Sequence, residues 1–483
     1  MYWYENYKSG SRDYKLESAE YDCDRYLSRC ERVATIKNLE LRASGFTAEE
    51  RKKISEHEFL DKNLTFRLKA ALTVAPSHHQ KMVLIDVESP EDHVGFLMGS
   101  NFVDTDWDTR AHSWVKKEAY EGRNAPAPYQ DLSSRITGPL VGNMFYNFEA
   151  AWKKEGGEIP GFPEGYFNDF PFKASYDNHI CGHLVRTQSQ YGVRNILKTY
   201  LHVVKNASHY IYIENQYFRW PPLADAILAS AQKQANWERD PAIHGPLYLF
   251  VVTGSDVGPG SRKSHEMLDK LGRPDVIPGM EWAKKIDDID TQIRHAEMEK
   301  MGADMLNVWL LLSPDKEKRK KFKESTDGWQ SKIDELKAQR DKVEVEVIHP
   351  EERPGLKIHV CSLVAPDTPD KEPWVDVKIH SKVMLINDAY MTIGTANINN
   401  RSMEVDSEMN LCHCRPEIAQ KARQDLWNLH TKGMGKQDNM KVAFEWWGYI
   451  INRNQGLELE KKTPIASLRG FMYADTAGLF DGD

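Results

Sequence analysis

The chain has 483 residues, 40% of them hydrophobic, enough for a large buried core. With 64 basic and 72 acidic residues the net charge is −8, which excludes a global attraction to nucleic acid. No apolar run reaches the ~18–20 residues of a membrane-spanning helix, and the opening Met1-Tyr2-Trp3-Tyr4-Glu5-Asn6 lacks the basic and apolar regions of a signal peptide. The protein is therefore expected to be soluble as made, with any export by a signal-peptide-independent route. Its six cysteines, Cys23, Cys30, Cys181, Cys361, Cys412 and Cys414, are scattered and form no disulfide framework. Cys412-His413-Cys414 alternates ligand types without a second cluster, so it reads as strand rather than as a zinc site.

In chain order, residues 1–35 are polar and aromatic without a period, and residues 33–41 read as a strand. Thr47 with Glu50 three positions on predicts a capped helix. A second helix is expected over residues 61–72. Then comes His78-His79-Gln80-Lys81-Met82-Val83-Leu84-Ile85-Asp86, followed after an acidic loop by Met98-Gly99-Ser100-Asn101. Tyr129-Gln130-Asp131-Leu132-Ser133-Ser134-Arg135 leads into a helix whose apolar face is Val141, Phe145, Phe148 and Trp152. Residues 156–171, rich in Gly, Pro and Phe, read as a linker.

Beyond the linker, strands are expected near 185, 212 and 250, with a helix carrying Ile196, Leu197, Tyr200, Leu201 and Val204 inward. Strand and helix alternate, which indicates α/β layers. Residues 281–345 are charged and helical in pattern, a solvated insertion. Residues 343–348 and 356–364 return the chain to the sheet. A helix over 416–430 follows, and the tail over 450–483 is expected to wrap the surface. Trp107, Trp220, Trp374, Trp446 and Trp447 would suit a membrane-facing rim, with core packing the default for most of them.

One further stretch organises the rest. Ile379-His380-Ser381-Lys382-Val383-Met384-Leu385-Ile386-Asn387-Asp388 is followed by Ile393-Gly394-Thr395-Ala396-Asn397. It repeats the pattern around His79: a histidine and a lysine two apart, an aliphatic run, then a Gly-small-Asn turn. Two copies in one chain are an internal repeat. In a strand the spacing puts imidazole and ammonium on one face, a natural phosphate site. The repeat divides the chain into a first half over 1–156, a linker over 157–180 and a second half over 181–483. The first half has nothing resembling Tyr210-Ile211-Tyr212-Ile213-Glu214 before its histidine. The expectation is a first half truncated at its N-terminus relative to a longer precursor.

These residues resemble the phospholipase D superfamily. His79 with Lys81 and His380 with Lys382 are similar to its two His-x-Lys-x4-Asp motifs, Ile213-Glu214-Asn215-Gln216-Tyr217-Phe218 to the middle motif of the plant and animal enzymes, and Ser133 to Pro139 to the segment closing their first half. The likeness spans about residues 75–430. Phe46-Thr47-Ala48-Glu49-Glu50-Arg51, Pro76-Ser77-His78-His79 and Trp107-Asp108-Thr109 resemble the phospholipase D effectors that bacteria deliver by type VI secretion. The resemblance implies two similar α-β-α sandwich halves around one shared active site. It implies hydrolysis of a phospholipid head group to phosphatidic acid through a phosphohistidine. It further implies a secreted antibacterial or virulence role, cytoplasmic before export, with a phospholipid membrane surface as substrate and an immunity protein and a secretion spike protein as partners. The second motif departs from the pattern at Asn387, where the family has Asp; Asp86, Asn387 and Asp388 are motif-support positions.

A phosphodiester's own charge repels nucleophiles, so a site must neutralise that charge and move protons. Lys81 and Lys382 supply positive charge, and Asn101 and Asn397 supply donors to the non-bridging oxygens. One imidazole attacks phosphorus while the other protonates the leaving oxygen and then activates water. Residue types alone leave the order open; the resemblance makes His79 the nucleophile and His380 the acid/base. Each imidazole needs a carboxylate on its far nitrogen. Asp108 for His79 and Glu408 for His380, 29 and 28 positions downstream, are the candidates, with Asp104 and Asp406 as rivals. No metal or cofactor is required, since the lysines provide the electrostatics Mg²⁺ would supply. His78 and His112 read as packing residues, and Glu214 as a buried structural carboxylate. The alternatives are a nuclease or a phosphatidyltransferase of the same superfamily, or a non-enzymatic lipid-binding effector. Nucleic acid is not an expected partner.

Overall fold

The computed structural model describes residues 40, 42, 44–101, 103, 106–118, 121–159, 161–171, 179–236, 245–254, 261–276, 278–310, 316–342 and 349–472. The strand expected over 343–348 lies outside them, as does all of 33–41 but Glu40. Asp104, Cys23 and Cys30 are also outside.

In the first lobe, α1 (Ala48–Ser55) and α2 (Phe66–Val74) precede β1 (Met82–Ile85), β2 (Val94–Met98), β3 (Tyr129–Gln130), β4 (Ser133–Ile136) and α3 (Leu140–Lys154). The capping box forms: Glu50 N–H donates to Thr47 Oγ1 at 3.2 Å and Thr47 N–H to Glu50 Oε2 at 2.8 Å. The second helix starts later than expected. Asp61 Oδ1 accepts Asn63 N–H at 3.0 Å and makes a turn, and Thr65 Oγ1 then caps Leu68 N–H at 3.2 Å. Strands β1, β2 and β4 form an antiparallel three-stranded sheet.

In the second lobe, β5 (Gly182–Gln188), β6 (Val193–Arg194) and α4 (Asn195–Val204) lead to β7 (Tyr210–Asn215), α5 (Pro221–Asn236) and β8 (Leu247–Thr253). Helix α6 (Ser261–Lys270) follows, then the long helices α7 (Pro278–Leu310) and α8 (Lys316–Arg340). These two pack on each other through Ile293, Ala296, Ile333 and Leu336. Next come β9 (Leu356–Val364), β10 (Asp376–Ile379), β11 (Lys382–Ile386), β12 (Tyr390–Gly394) and β13 (Glu408–His413), then α9 (Pro416–Thr431), α10 (Met440–Leu459) and β14 (Leu468–Gly470).

The large sheet runs β3-β10-β9-β8-β7-β11-β12-β13-β5-β6, with β14 on β9. Its central strands β7, β8 and β9 are parallel; β7 and β8 are buried on both faces, and β9 is buried from Val360 on, as expected for strands covered on either side by helices. Side chains alternate. Ile211, Ile213, Leu249 and Val251 pack with Ile196, Leu223 and Ile227 of α4 and α5. Tyr212, Phe250 and Val252 pack with Trp427 and Trp447 of α9 and α10. The second lobe is thus an α-β-α sandwich, and the chain is of the mixed α/β class with two similar lobes.

Two features differ from expectation. The tail over 450–472 is not a surface wrap: α10 continues to Leu459 with Ile450 in the core, and β14 joins the sheet. Asn454 explains the turn between them, donating from Nδ2 to Ala466 O at 2.8 Å and accepting Ile465 N–H at 3.0 Å. The tryptophans divide: Trp220 and Trp447 are fully buried, whereas Trp107 and Trp446 are exposed. The lobes also differ. Strand β11 is flanked by β7 and β12 and is buried throughout. Its counterpart β1 pairs with β2 only among the described residues, and Ile85 at its end is exposed.

Candidate active site

The two histidines sit where the lobes trade backbone bonds. His380 N–H donates to Gln130 O at 2.9 Å and Lys378 N–H to Pro128 O at 2.8 Å, a parallel pairing of the second lobe's strand with β3 of the first. Across the molecule, His79 N–H donates to Ser407 O at 2.9 Å and Ser407 N–H to Ser77 O at 2.9 Å. Each lobe thus lends the other a short strand, and both exchanges have the same parallel sense.

The residue after each lending residue carries a carboxylate. Asp131 Oδ2 holds His380 Nδ1 at 2.7 Å, and Glu408 Oε1 holds His79 Nδ1 at 2.8 Å. This corrects the sequence pairing on both sides. Glu408 orients the other lobe's histidine, and Asp108 orients neither. Asp108 Oδ2 instead meets His112 Nδ1 at 3.1 Å and accepts Tyr129 N–H at 2.8 Å. The similar offsets misled because residues 102–128 intervene between the Asn101 turn and Asp131. A usable signal was present: Asp131-Leu132, between β3 and β4, and Glu408-Met409, opening β13, are both an acid followed by an apolar residue next to a strand. Asp406, the rival, is tied to Arg401 Nε at 2.9 Å and to Ser77 N–H at 2.8 Å.

The turns that close the motifs are built alike. A Cβ on Gly99 would lie 2.2 Å from Asp131 Oδ1, and one on Gly394 2.4 Å from Met409 O. Glycine therefore lets each turn press on the strand that bears the orienting acid. Asn410 Oδ1 accepts Thr395 N–H and Ala396 N–H, both at 3.1 Å. Asn397 follows, buried, with its Oδ1 lacking a hydrogen-bond partner among the described residues. Asn101 N–H donates to Asp106 Oδ2 at 3.2 Å.

Lys81 Nζ donates to His79 O at 2.9 Å, and Lys382 Nζ likewise to His380 O. Burial pulls Lys81 down to about 8 and Lys382 to about 7, against the attraction of Glu408 and Asp131. Burial also lowers both histidines; for His380 the charges of Lys382, Lys81 and Lys378 push the same way, while for His79 Glu408 opposes. Each lobe's cations act on the other lobe's imidazole, so the four groups share one field. The two acids diverge. Burial lifts Asp131 to about 7, against Lys382 and a bond from Leu132 N–H. Burial would raise Glu408 too, but His79, Lys81 and the Ser402 hydroxyl outweigh it and hold it below the ordinary carboxylate range. His79 keeps 22% of its side chain exposed and His380 5%.

Glu214 lies beneath. Its carboxylate accepts from Gln130 Nε2 at 2.7 Å, from Ser381 Oγ, from Tyr212 Oη and from His430 Nε2 at 2.7 Å. Burial is overcome by these partners, which bring it to about 2. It is a brace: Gln130, whose carbonyl holds His380, is also bonded to His112 at 2.7 Å. Asp131 and the bracing role of Gln130 are what the sequence reading missed.

The motif-support residues lie at the far ends of their strands. Asp86, Asn387 and Asp388 all have positive φ, 49°, 54° and 54°. Asn387 Oδ1 accepts the N–H groups of Ser208, His209 and Tyr210 at 3.2, 2.9 and 3.1 Å, so a neutral amide seats the start of β7. Asp388 forms a two-pronged pair with Arg423 at 2.7 and 2.8 Å. Among the described residues no group of three or more His, Cys, Asp or Glu is placed to hold a metal.

Residues 306–430 match the family model "Cardiolipin synthase, PLD-like domain". Phospholipase D alpha 1 of Oryza sativa subsp. japonica is 24% identical over 410 residues, covering 70% of this chain and 45% of the relative. Phospholipase D alpha 2 of Brassica oleracea var. capitata is 23% identical over 438 residues, covering 73% and 49%. The chain spans about half the length of the curated relatives it matches. Among solved structures, NucT from Helicobacter pylori overlaps 52% of this chain and 96% of its own, with a TM-score of 0.27 and 12% identity. The phosphatidylserine synthase of Haemophilus influenzae Rd KW20 overlaps 80% and 71%, with a TM-score of 0.32 and 11% identity. These overlaps are too loose to carry an argument. The domain match and the phospholipase D relatives together support the phospholipase D superfamily for this chain.

Proposed function

We propose that the protein is a phospholipase D-type hydrolase that releases the head group of a phospholipid and leaves phosphatidic acid. The observation that carries this reading is the pair of imidazoles, each gripped at Nδ1 by the other lobe's carboxylate, with Lys81 and Lys382 beside them. Such a grip leaves each Nε2 for chemistry. His79, the more open ring, attacks phosphorus and forms a phosphohistidine while the head-group P–O bond breaks. Glu408 stays ionised and stabilises the positive charge that forms on the ring. His380 gives its proton to the leaving oxygen, then takes one from the water that cleaves the P–N bond and regenerates His79. Burial and the neighbouring cations depress His380. An entering phosphodiester brings negative charge, offsets the cations, and so favours the protonated form when it is needed. Lys81, Lys382, Asn101 and Asn397 bind the non-bridging oxygens.

The biological setting belongs to the same proposal. The segments around Thr47, His78 and Trp107 support an effector exported by type VI secretion, made in the cytoplasm and acting on target-cell membranes. An immunity protein and a spike protein would be its partners. Exposed Trp107 supports contact with a lipid surface.

The test gives the protein phospholipid vesicles and DNA in parallel, with chelator present, and follows free head group and nicking. Head-group release is expected, and with a short primary alcohol a phosphatidyl-alcohol as well. His79→Ala and His380→Ala are each expected to lose about 10³-fold or more in turnover. Nicking without lipid turnover would make the protein a nuclease, a dominant alcohol product a transferase, and binding without turnover a lipid-binding effector.

A further inference from the structure

The groups that would grip the phosphate obey the pseudo-twofold, so they do not by themselves distinguish one ester oxygen from the other. The symmetry breaks one step further out. On a strand, the residue two before each histidine lies on the histidine's face. In the first lobe that residue is Ser77, and in the second it is Lys378. Their cross-lobe neighbours differ as well. Beside Ser77 stands Asp406, matched by Arg401 through Nε and Nη2, both at 2.9 Å. Beside Lys378 stands Tyr129, its register partner in the parallel ladder.

Tyr129 is a buried ring whose centroid lies 5.4 Å from that of His380. Lys378 Nζ sits 5.0 Å from the Tyr129 centroid, within cation–π range. The Tyr129 hydroxyl donates to Asp106 Oδ2 at 3.0 Å, which fixes the ring. Lys378 is half-buried, and among the described residues no carboxylate pairs with it. Its charge reaches His380, where it joins Lys382 and Lys81 in disfavouring the imidazolium. The His380 end of the site therefore carries an unmatched cation on an aromatic wall, while the charges at the His79 end are matched.

We propose that Lys378, seated on Tyr129 beside His380, is a specificity-determining residue that reads a negative charge on the leaving head group, a carboxylate or a second phosphate. The inference rests on the phospholipase D reading above and names its substrate class. His380 hands its proton to the leaving oxygen, so the head group lies at the His380 end. An anion there meets the Lys378 ammonium, whereas the fixed positive charge of choline is repelled by it.

The test uses short-chain phosphatidylserine, phosphatidylglycerophosphate and phosphatidylcholine as monomers, so that membrane surface charge plays no part. The wild type is expected to show a kcat/KM about 10-fold higher for the anionic head groups than for choline. In Lys378→Met the ratio falls toward one, and Lys378→Arg retains it. Thermal melts of both variants report folding. A response to phosphatidylserine alone assigns a carboxylate, to phosphatidylglycerophosphate alone a phosphate, and to both any anion. A wild type without preference, or a preference that survives in Lys378→Met, overturns the inference while leaving the phospholipase D reading intact. If the wild type hydrolyses none of the three, that reading fails and takes this one with it.

Discussion

At the scale of single residues, the site depends on which acid holds which imidazole. Asp131 and Glu408 do equivalent work from differently tuned environments. The His380–Asp131 pair, with the acid lifted to about 7 and the imidazole depressed, shares one proton near neutral pH. Raising the pH removes that proton and also discharges Lys382, held at about 7, and Lys81, at about 8. Rising pH therefore removes both the acid and the electrostatic grip, whereas His79, depressed by burial, stays neutral below the usual imidazole range. The expected kcat/KM profile falls on its alkaline side between pH 7 and 8 and has its acid limb below 6.5. Asp131→Asn, which cannot share the proton, should lower kcat by about 10²-fold or more and move the alkaline limb. A stopped-assay pH series on both proteins checks this; an unmoved limb would detach Asp131 from the acid role. The histidines and lysines were legible because a repeat marks them by residue type. The acids were not, because an offset counted along the chain says nothing about a loop of different length in each lobe.

At the scale of elements, the two closing turns look alike in sequence and press on different things. A Cβ on Gly99 would press hardest on the Asp131 side chain, at 2.2 Å, with Leu132 O behind it at 2.9 Å, whereas one on Gly394 would meet Met409 O and Asn410 Oδ1 at 2.4 Å and Asn410 Cα at 2.5 Å. Gly99→Ala needs only a slight backbone shift at Leu132 and is otherwise relieved by displacing the acid that orients His380, so it should cost mainly turnover. Gly394→Ala must move backbone, so it should cost stability, about 1–3 kcal/mol, with a matching loss in Tm. Melting curves and turnover for the two variants side by side test the distinction; equal losses in both would refute it. The first helix was readable to its cap because Thr47 and Glu50 act on their own backbone. The second slipped because Asp61, which could have opened a helix, is spent on a turn. The extension of α10 was hidden for a similar reason: Asn454 acts on residues 465–468, more than ten positions away.

For the whole molecule, the repeat announced two lobes and one shared centre, and among the described residues the first lobe's own sheet has three strands. What no local pattern could announce is the direction of the trade between them. Each histidine takes both a backbone acceptor and a carboxylate from the other lobe. A polypeptide severed between residues 171 and 179 would give two pieces with complementary defects, each keeping its own motif histidine and lacking the groups that aim it. Co-refolded, the pieces should recover turnover that depends on the product of their concentrations, and neither should show any alone. A mutation of Asp131 in one piece would then be silent toward the histidine it travels with and damaging to the histidine delivered by its companion.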